Sequence, residues 1–171
     1  MFYGEDGGVT CSGGECMLQV DFLAALLHEC HARGIHTAVD TAGHVPTEAL
    51  IRMCPDTDLF LYDVKCMDDV RHRTVTGVGN TLILHNLAEL LDRGCSVWVR
   101  VPVVPGVNDS PEEMWQLKRF LDAHGGAVRV ELLPYHEMGV HKYTALGRTA
   151  ATFSVPSKAH MAELRRIFDA E

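Results

Sequence analysis

The side chains with the clearest chemistry are two acids and two bases near the ends of short, β-type apolar runs. Glu15 and Asp40 carry carboxylates that can accept hydrogen bonds from an ammonium group. Lys65 and Arg100 carry cationic donors that suit a carboxylate. Together these four groups predict a site for a ligand with both charges, such as an amino acid moiety.

Two adjacent glycines, Gly13 and Gly14, precede Glu15 and allow a ligand to approach the backbone closely. A phosphate-binding loop would need a GxxxxGK[ST] run or a GxGxxG at a helix start, and the sequence has neither. Cys11 and Cys16 flank the glycines, but an iron–sulfur cluster needs at least three converging thiolates. We therefore interpret the stretch as a turn for an amino group, with two packing thiols.

Hydrophobic periodicity places these residues in a chain of alternating strands and helices. The predicted strands cover residues 8–12, 36–41, 59–64, 96–104 and 128–133. The predicted helices cover residues 19–33, 46–55, 69–75, 81–93, 110–125 and 156–170. Helical crossovers between strands favour parallel pairing, so the predicted fold class is α/β. Periodicity alone leaves open whether the sheet is doubly wound or curled into part of a barrel.

Two helices carry explicit terminal signals. Ser110, Pro111 and Glu113 have the spacing of a capping box at the start of the fifth helix. Pro46 can open the second helix in its first turn, and Pro55 is expected to end it.

Polar residues follow or end every predicted strand, and the carboxyl ends of parallel strands meet at one edge of a sheet. We therefore expect one binding mouth. Taken singly, each residue also has a structural explanation: Asp40 can cap a helix, Lys65 can be solvated, and Arg100 can pair with a structural carboxylate. The converging residues are Ser12, Gly13, Gly14, Glu15, Asp40, Thr41, Asp63, Lys65, Arg100, Tyr135 and His136.

The overall composition limits the function classes. The chain has 171 residues and a formal net charge of -8, which argues against sequence-independent binding to nucleic acid or to an anionic membrane. Six cysteines lack the dense spacing of a secreted disulfide scaffold, and no apolar run is long enough to span a bilayer. We expect a cytoplasmic protein.

Six ordered motifs cover nearly the whole chain and resemble one family. They are "GGVTCSGGECMLQ", "GIHTAVDTAGH", "DLFLYDVKCMDD", "TGVGN", "VRVPVVPGVNDS" and "LLPYHEMGVHKYTALG". On these motifs the chain resembles the glycyl radical enzyme activating enzymes, the pyruvate formate-lyase activating enzyme family of the radical S-adenosylmethionine (SAM) superfamily.

The resemblance implies a fold and an extent. The family fold is a partial (β/α)6 TIM-like barrel, and residues 1–171 match a single radical SAM core domain from its second strand onward, with the first βα unit missing. The family's CxxxCxxC motif, whose thiolates hold a 4Fe-4S cluster, does not occur among the six cysteines. We therefore expect the cluster ligands to be absent from this chain.

The resemblance also implies roles for individual residues. It assigns SAM binding to Ser12, Gly13, Gly14, Glu15, Asp40, Lys65, Arg100 and His136, with Pro102 and Val103 near the adenine. It assigns a monovalent cation to Asp40, Thr41, Asp63 and the carbonyl of Val64. It assigns no catalytic residue within this chain.

The implied activity is that of a [formate-C-acetyltransferase]-activating enzyme-like oxidoreductase. An electron donor such as flavodoxin or ferredoxin would reduce the cluster, and reductive cleavage of SAM would generate a glycyl radical on a partner enzyme such as pyruvate formate-lyase. Without the cluster motif, we expect this chain alone to be inactive. The motifs do not identify which glycyl radical enzyme is the partner.

Two other functions fit the same residues. The chain could be a non-catalytic module that binds SAM or the partner, or an aldolase-like barrel in which Lys65 forms a Schiff base. The strand over residues 8–12 is also expected at a sheet edge, which favours self-association or covering by residues 1–6.

Overall fold

Strands and helices alternate along the chain in the computed structural model, which describes residues 7–125, 128–136, 147 and 153–169. The strands are β1 (Gly8–Cys11), β2 (His36–Thr41), β3 (Leu59–Asp63), β4 (Val97–Val103) and β5 (Arg129–Pro134). The α-helices are α1 (Val20–Ala32), α2 (Thr47–Met53), α3 (Asp69–Thr76), α4 (Thr81–Asp92), α5 (Pro111–His124) and α6 (Lys158–Asp169). Short 3-10 turns cover Cys16–Gln19 and Cys54–Asp56.

The five strands form one parallel sheet in the order β1-β2-β3-β4-β5. A doubly wound sheet reverses its strand order at a switch point, whereas a sequential order adds each strand on the same side. With right-handed crossovers, this order puts the helices on one face, as in a (β/α) barrel. The α/β prediction is confirmed, and each predicted strand end is within one residue of the observed end.

Side-chain alternation along the strands separates the core from the binding face. On β4, Val99, Val101 and Val103 are buried, while Arg100 between them is only partly covered. On β3, Tyr62 is buried and Asp63 is partly covered. The core lies between the sheet and the helices, and its fully buried helical leucines are Leu27, Leu50, Leu87, Leu90 and Leu164.

The helix boundaries correct three details of the sequence interpretation. A 3-10 turn, Cys16–Gln19, precedes α1, so the predicted start at residue 19 falls on that turn. Pro46 is the N-cap of α2 rather than part of its first turn, because its ψ of 135° is extended. Pro55 does not end the helix abruptly. It lies inside the 3-10 turn Cys54–Asp56, where the N–H that proline lacks is not needed.

The capping box at α5 is half formed. The Ser110 hydroxyl accepts a hydrogen bond of 3.2 Å from the Glu113 backbone N–H, as predicted. The Glu113 side chain does not complete the box. It is buried, accepts a hydrogen bond from the Met67 N–H, and lies 3.9 Å from Arg71. A tertiary contact has replaced the local one.

The predicted covering of the sheet edge by residues 1–6 lies outside the described residues. Within the described ranges, no helix combines the length and the apolar character that crossing a membrane requires.

Candidate functional site

The carboxyl ends of the first four strands surround a cavity of about 290 Å³. Its residues come from the turn after β1, the ends of β2 and β3, and the middle of β4. They are Ser12, Gly13, Gly14, Asp40, Thr41, Ala42, Asp63, Lys65 and Arg100. The structure therefore brings together six of the eight residues predicted to bind SAM, and both carboxylates predicted for the cation.

Five of the six polar side chains that line this cavity, all except Thr41, form one continuous chain of hydrogen bonds and ion pairs, the cavity network. Ser12 donates to Asp40 Oδ2 at 3.0 Å, and Arg100 donates to Asp40 Oδ1. Arg100 Nε also donates to Asp63 Oδ1 at 3.0 Å. Lys65 Nζ lies 2.7 Å from Asp63 Oδ2. Four separate segments of the chain are thus linked through charges of alternating sign.

The charges in the network are balanced and partly shielded from water. Two carboxylates, Asp40 and Asp63, face two cations, Arg100 and Lys65. Burial works to lower the pKa of Arg100, but the charges and hydrogen bonds of Asp63 and Asp40 outweigh it and raise that pKa above its usual value. The Arg100 side chain is 19% exposed and the Lys65 side chain 36% exposed, so Lys65 is the more accessible cation.

The glycine turn leaves room at the cavity. Gly13 has a φ of +136°, a backbone conformation that side chains with a Cβ rarely adopt. A Cβ built on Gly13 or on Gly14 would meet no atom within 4 Å. Glycine at residue 13 is therefore required by the turn itself, and the space beside both glycines is open to a ligand.

Glu15 stands beside the cavity but does not line it. Its carboxylate caps the 3-10 turn by accepting from the Met17 N–H at 3.2 Å. It also accepts from the Thr41 hydroxyl at 2.9 Å and from the Ala42 N–H at 3.1 Å. Glu15 thus holds the glycine turn against the end of β2, and its predicted contact with a ligand amino group stays a prediction.

His136 follows β5 and is exposed. The preceding residue, Tyr135, donates its N–H to the Val103 carbonyl at 3.1 Å, so the ends of β5 and β4 are adjacent. His136 therefore lies at the same edge of the sheet as the cavity without being part of its lining. Its predicted place beside the nucleoside stays a prediction.

Three buried asparagines were missed by the sequence interpretation. Each one uses its side-chain amide to donate to two backbone carbonyls at or after the carboxyl ends of strands. Two of them, Asn80 and Asn108, lie in the motifs "TGVGN" and "VRVPVVPGVNDS", but the sequence interpretation gave these asparagines no role. The three asparagines are Asn86, bonded to Gly43 and Val45; Asn80, bonded to Cys66 and Met67; and Asn108, bonded to Lys65 and Pro102.

The cysteines do not form a metal site. Cys11 and Cys16 are half-buried against the core, and burial together with the Glu15 charge raises the pKa of Cys16 to about 11. All six cysteines are free. Within the described ranges, no group of three or more His, Cys, Asp or Glu residues is arranged to hold a metal ion. These residues do not fit a 4Fe-4S cluster.

Comparison with known proteins gives the family. The family model of the Radical SAM superfamily matches residues 2–121. This chain belongs to the radical SAM superfamily. It is 36% identical to the pyruvate formate-lyase 1-activating enzyme of Escherichia coli (strain K12), over 95% of this chain and 68% of that protein. It thus falls among the glycyl radical enzyme activating enzymes of the superfamily.

Other relatives in this family are named for different partner enzymes. The trans-4-hydroxy-L-proline dehydratase activating enzyme of Clostridioides difficile is 38% identical over 99% of this chain and 58% of its own length. The (2S)-3-sulfopropanediol sulfolyase activating enzyme of Bilophila wadsworthia (strain 3_1_6) is 43% identical over 83% of this chain and 47% of its own length. The chain thus spans about half the length of these curated relatives.

Solved structures support the radical SAM fold. A domain of a pyruvate-formate lyase-activating enzyme from Bacteroides vulgatus ATCC 8482 matches with a TM-score of 0.80 and 30% identity, covering 95% of this chain and 93% of that one. Streptococcus suis SuiB shares the fold, with a TM-score of 0.68 at 18% identity over 95% of this chain and 35% of its own. The predicted radical SAM type of partial barrel is confirmed.

Proposed function

We propose that this chain supplies the SAM-binding part of a radical SAM activase, which cleaves SAM reductively and generates a glycyl radical on a partner enzyme such as pyruvate formate-lyase. The observation that carries the proposal is the cavity network at the carboxyl ends of the strands. We take residues 1–171 as one radical SAM core domain. Six free thiols suit a reducing compartment, and we place the protein in the cytoplasm.

The donors and acceptors of the cavity suit the amino acid end of SAM. Asp40 offers a carboxylate to the ligand's ammonium, with Glu15 as a second acceptor beside it. Lys65 is the accessible donor for the ligand's carboxylate. The open space at Gly13 and Gly14 allows close approach of the backbone. His136, at the adjacent strand end, is proposed to lie beside the nucleoside.

The protein's contribution is position and charge. The ion pairs hold Lys65 and Asp40 in place before a ligand arrives, which reduces the reorganisation that binding requires. The ammonium group of a bound zwitterion would take the place of a cation of the network, and its carboxylate would take the place of a carboxylate. No charge is then left unpaired. When bound, SAM supplies the group that takes a hydrogen atom from the partner's glycine.

The electron source is proposed to lie outside the described residues, because these do not fit a cluster. We therefore expect no 5'-deoxyadenosine from this chain alone with SAM and dithionite, measured by chromatography. Product from the chain alone would contradict this. A monovalent cation beside Asp40, Thr41 and Asp63 remains part of the proposal, and an increase in SAM affinity on adding potassium would support it.

Binding of SAM is the direct test. Equilibrium dialysis with labelled SAM should show saturable binding to the chain, and Asp40→Asn and Lys65→Ala should each weaken it by about tenfold or more. Asp56→Asn and Lys118→Ala are matched controls, because these residues pair outside the cavity, with His28 and Asp122. Equal loss in the controls, or no binding at all, would count against a SAM site.

Activity is tested in the full-length protein. With SAM, a reductant and a glycyl radical enzyme, we expect an electron paramagnetic resonance signal from a backbone radical on the partner. Pyruvate formate-lyase is the first partner to test, since several relatives are named for it. A protein that binds SAM but gives no radical with any glycyl radical enzyme would favour the non-catalytic binding module.

The Schiff-base alternative is disfavoured by the ion pair at Lys65. The Nζ atom lies 2.7 Å from Asp63 Oδ2, and this ion pair would have to break before the nitrogen could attack a carbonyl group. Borohydride trapping with a carbonyl substrate should therefore leave the mass of the chain unchanged.

Self-association through the edge of β1 also stays a prediction, which sedimentation at several concentrations would test.

A further inference from the structure

We propose that Asn108 is a positioning residue that fixes the end of β3 relative to the end of β4, and so sets the spacing between the two ends of the SAM site. The inference rests on the proposed SAM-binding function. Asn108 is 1% exposed and is not part of the cavity lining. It would therefore act through the backbone of its neighbours rather than by touching the ligand.

The side chain of Asn108 makes three hydrogen bonds, all of them to backbone groups near the ends of the two strands. Nδ2 donates to the Lys65 carbonyl at 2.7 Å and to the Pro102 carbonyl at 2.8 Å. Oδ1 accepts from the Val104 N–H at 2.7 Å. One amide thus joins the segment after β3 to both sides of the β4 terminus.

The location of these bonds matters because the sheet ladder ends there. The register between β3 and β4 runs to Asp63 opposite Arg100, and the Val64 N–H then donates to the Arg100 carbonyl at 2.9 Å. The Asn108 amide takes over beyond that bond and holds the carbonyls of Lys65 and Pro102 together. It acts as an additional rung where backbone pairing stops.

Two of the three residues bonded to Asn108, Lys65 and Pro102, are assigned to different ends of the ligand. Lys65 is the proposed donor to the carboxylate of SAM, and the family resemblance implies that Pro102 lies near the adenine. A ligand that spans both subsites gains affinity only if their separation matches its own length, because the second contact is then already in place. Asn108 is the side chain that joins the two segments directly.

Asn86 provides a matched control within the same fold. It is fully buried, and its Nδ2 also donates to two carbonyls, those of Gly43 and Val45, each at 2.8 Å. Its Oδ1 accepts from the Thr47 hydroxyl at 2.7 Å. The chemistry is the same, but Gly43 and Val45 have no proposed contact with SAM.

The test compares Asn108→Asp with Asn86→Asp in the full chain. Each change replaces two donated bonds by a carboxylate that faces two carbonyls, so both should lower the melting temperature to a similar extent. We expect the SAM dissociation constant to rise by about tenfold or more in Asn108→Asp, and by about twofold or less in Asn86→Asp. Affinity for methionine, which reaches only the Lys65 end, should fall by about threefold or less in both.

Three results would decide the matter. An equal rise of the SAM dissociation constant in both variants, or a loss of methionine affinity as large as the loss for SAM, would overturn the positioning role. If the wild-type chain binds no SAM, the proposed function itself fails, and this outcome is distinct. Should Asn108→Asp not fold, the pair Asn108→Ser and Asn86→Ser carries the same comparison, with the same expected order.

Discussion

The two ends of the sheet carry cavities of opposite character. The cavity at the amino ends of β3 and β4 is the larger, at about 670 Å³, and includes Cys54, Asp58, Arg93 and Cys95 in its lining. Its Asp58 is committed to the Thr37 N–H at 2.8 Å and to the Thr37 hydroxyl at 3.1 Å. The cavity at the carboxyl ends is smaller, at about 290 Å³, but joins four charged groups from three strands.

The difference shows that convergence of charge, rather than volume, distinguishes a binding site here. At the amino end the polar groups satisfy local backbone and neighbouring side chains, which is what a fold requires of its loops. At the carboxyl end, acids and bases from distant segments neutralise one another beside open space. The following predictions test this contrast.

The largest expected effect is at Arg100. Arg100→Met would leave Asp40 without its cationic partner and Asp63 with Lys65 alone, so we expect a loss of about 3 kcal/mol in the free energy of unfolding. SAM affinity should fall about 100-fold. Urea unfolding and equilibrium dialysis measure the two effects. At the amino end, Arg93 pairs with Glu89 at the surface, and Arg93→Met should cost about 0.5 kcal/mol or less. Similar losses in both variants would remove the contrast.

A second prediction compares two glycines with similar backbone geometry. Gly43, after β2, has a φ of +70°, and a Cβ there would lie 1.7 Å from the hydroxyl of buried Tyr62. Gly94, before β4, has a φ of +73° and nothing within 4 Å of a Cβ.

Both alanine variants strain the backbone, but only one adds a steric clash. We expect Gly43→Ala to cost about 3 kcal/mol and Gly94→Ala about 1 kcal/mol in thermal or urea unfolding. Equal costs would mean that Tyr62 moves aside without penalty.

A third prediction concerns pH and the thiols. Burial, with Cys95 as a hydrogen-bonding neighbour, raises the pKa of Cys54 to about 12 from an ordinary value of 9.0. A raised pKa means that folding favours the protonated thiol, so this contribution to stability is complete below pH 9 and is lost as the pH rises towards 12. Wild-type stability should therefore fall between about pH 9 and about pH 12, and Cys54→Ala should show a shallower fall. A fall of the same size in the variant would contradict the assignment.

The smallest effect is expected at Asp58. Hydrogen bonds from Thr37 lower the pKa of this carboxyl below 3.8, so its contribution is present at neutral pH and is lost as the pH falls through the lowered pKa. Asp58→Asn should cost about 1 kcal/mol at pH 7 and leave SAM binding unchanged. Weaker SAM binding in this variant would show that the two ends of the sheet are coupled.

Local patterns predicted the strands and the binding edge well. The alternation in β4 and the polar residues at the strand ends depend only on neighbouring positions, and they identified eight of the nine residues that line the cavity. Whether Asp40 and Asp63 would bind Arg100 or remain open to a ligand was not predictable, because that depends on strand register. The register places Asp63 opposite Arg100.

Contacts between distant residues account for what the sequence interpretation missed. Asn108 is 43 positions from Lys65, and Glu113 is 46 positions from Met67. A local rule treated Glu113 as a capping residue and gave Asn108 no role. Only the fold, which brings Asn108 before α5 and Glu113 in α5 next to the loop after β3, shows that both side chains satisfy backbone groups there.

The charges of the cavity network alternate in sign along Asp40, Arg100, Asp63 and Lys65, and this order has a consequence for selectivity. A ligand with only one charge can displace one internal partner. The displaced carboxylate or cation of the network then stays unpaired in a partly buried environment. A methyl ester of the ligand should therefore be rejected even where its shape fits. We therefore expect this cavity to select a ligand first by the number and order of its charges and only then by its shape.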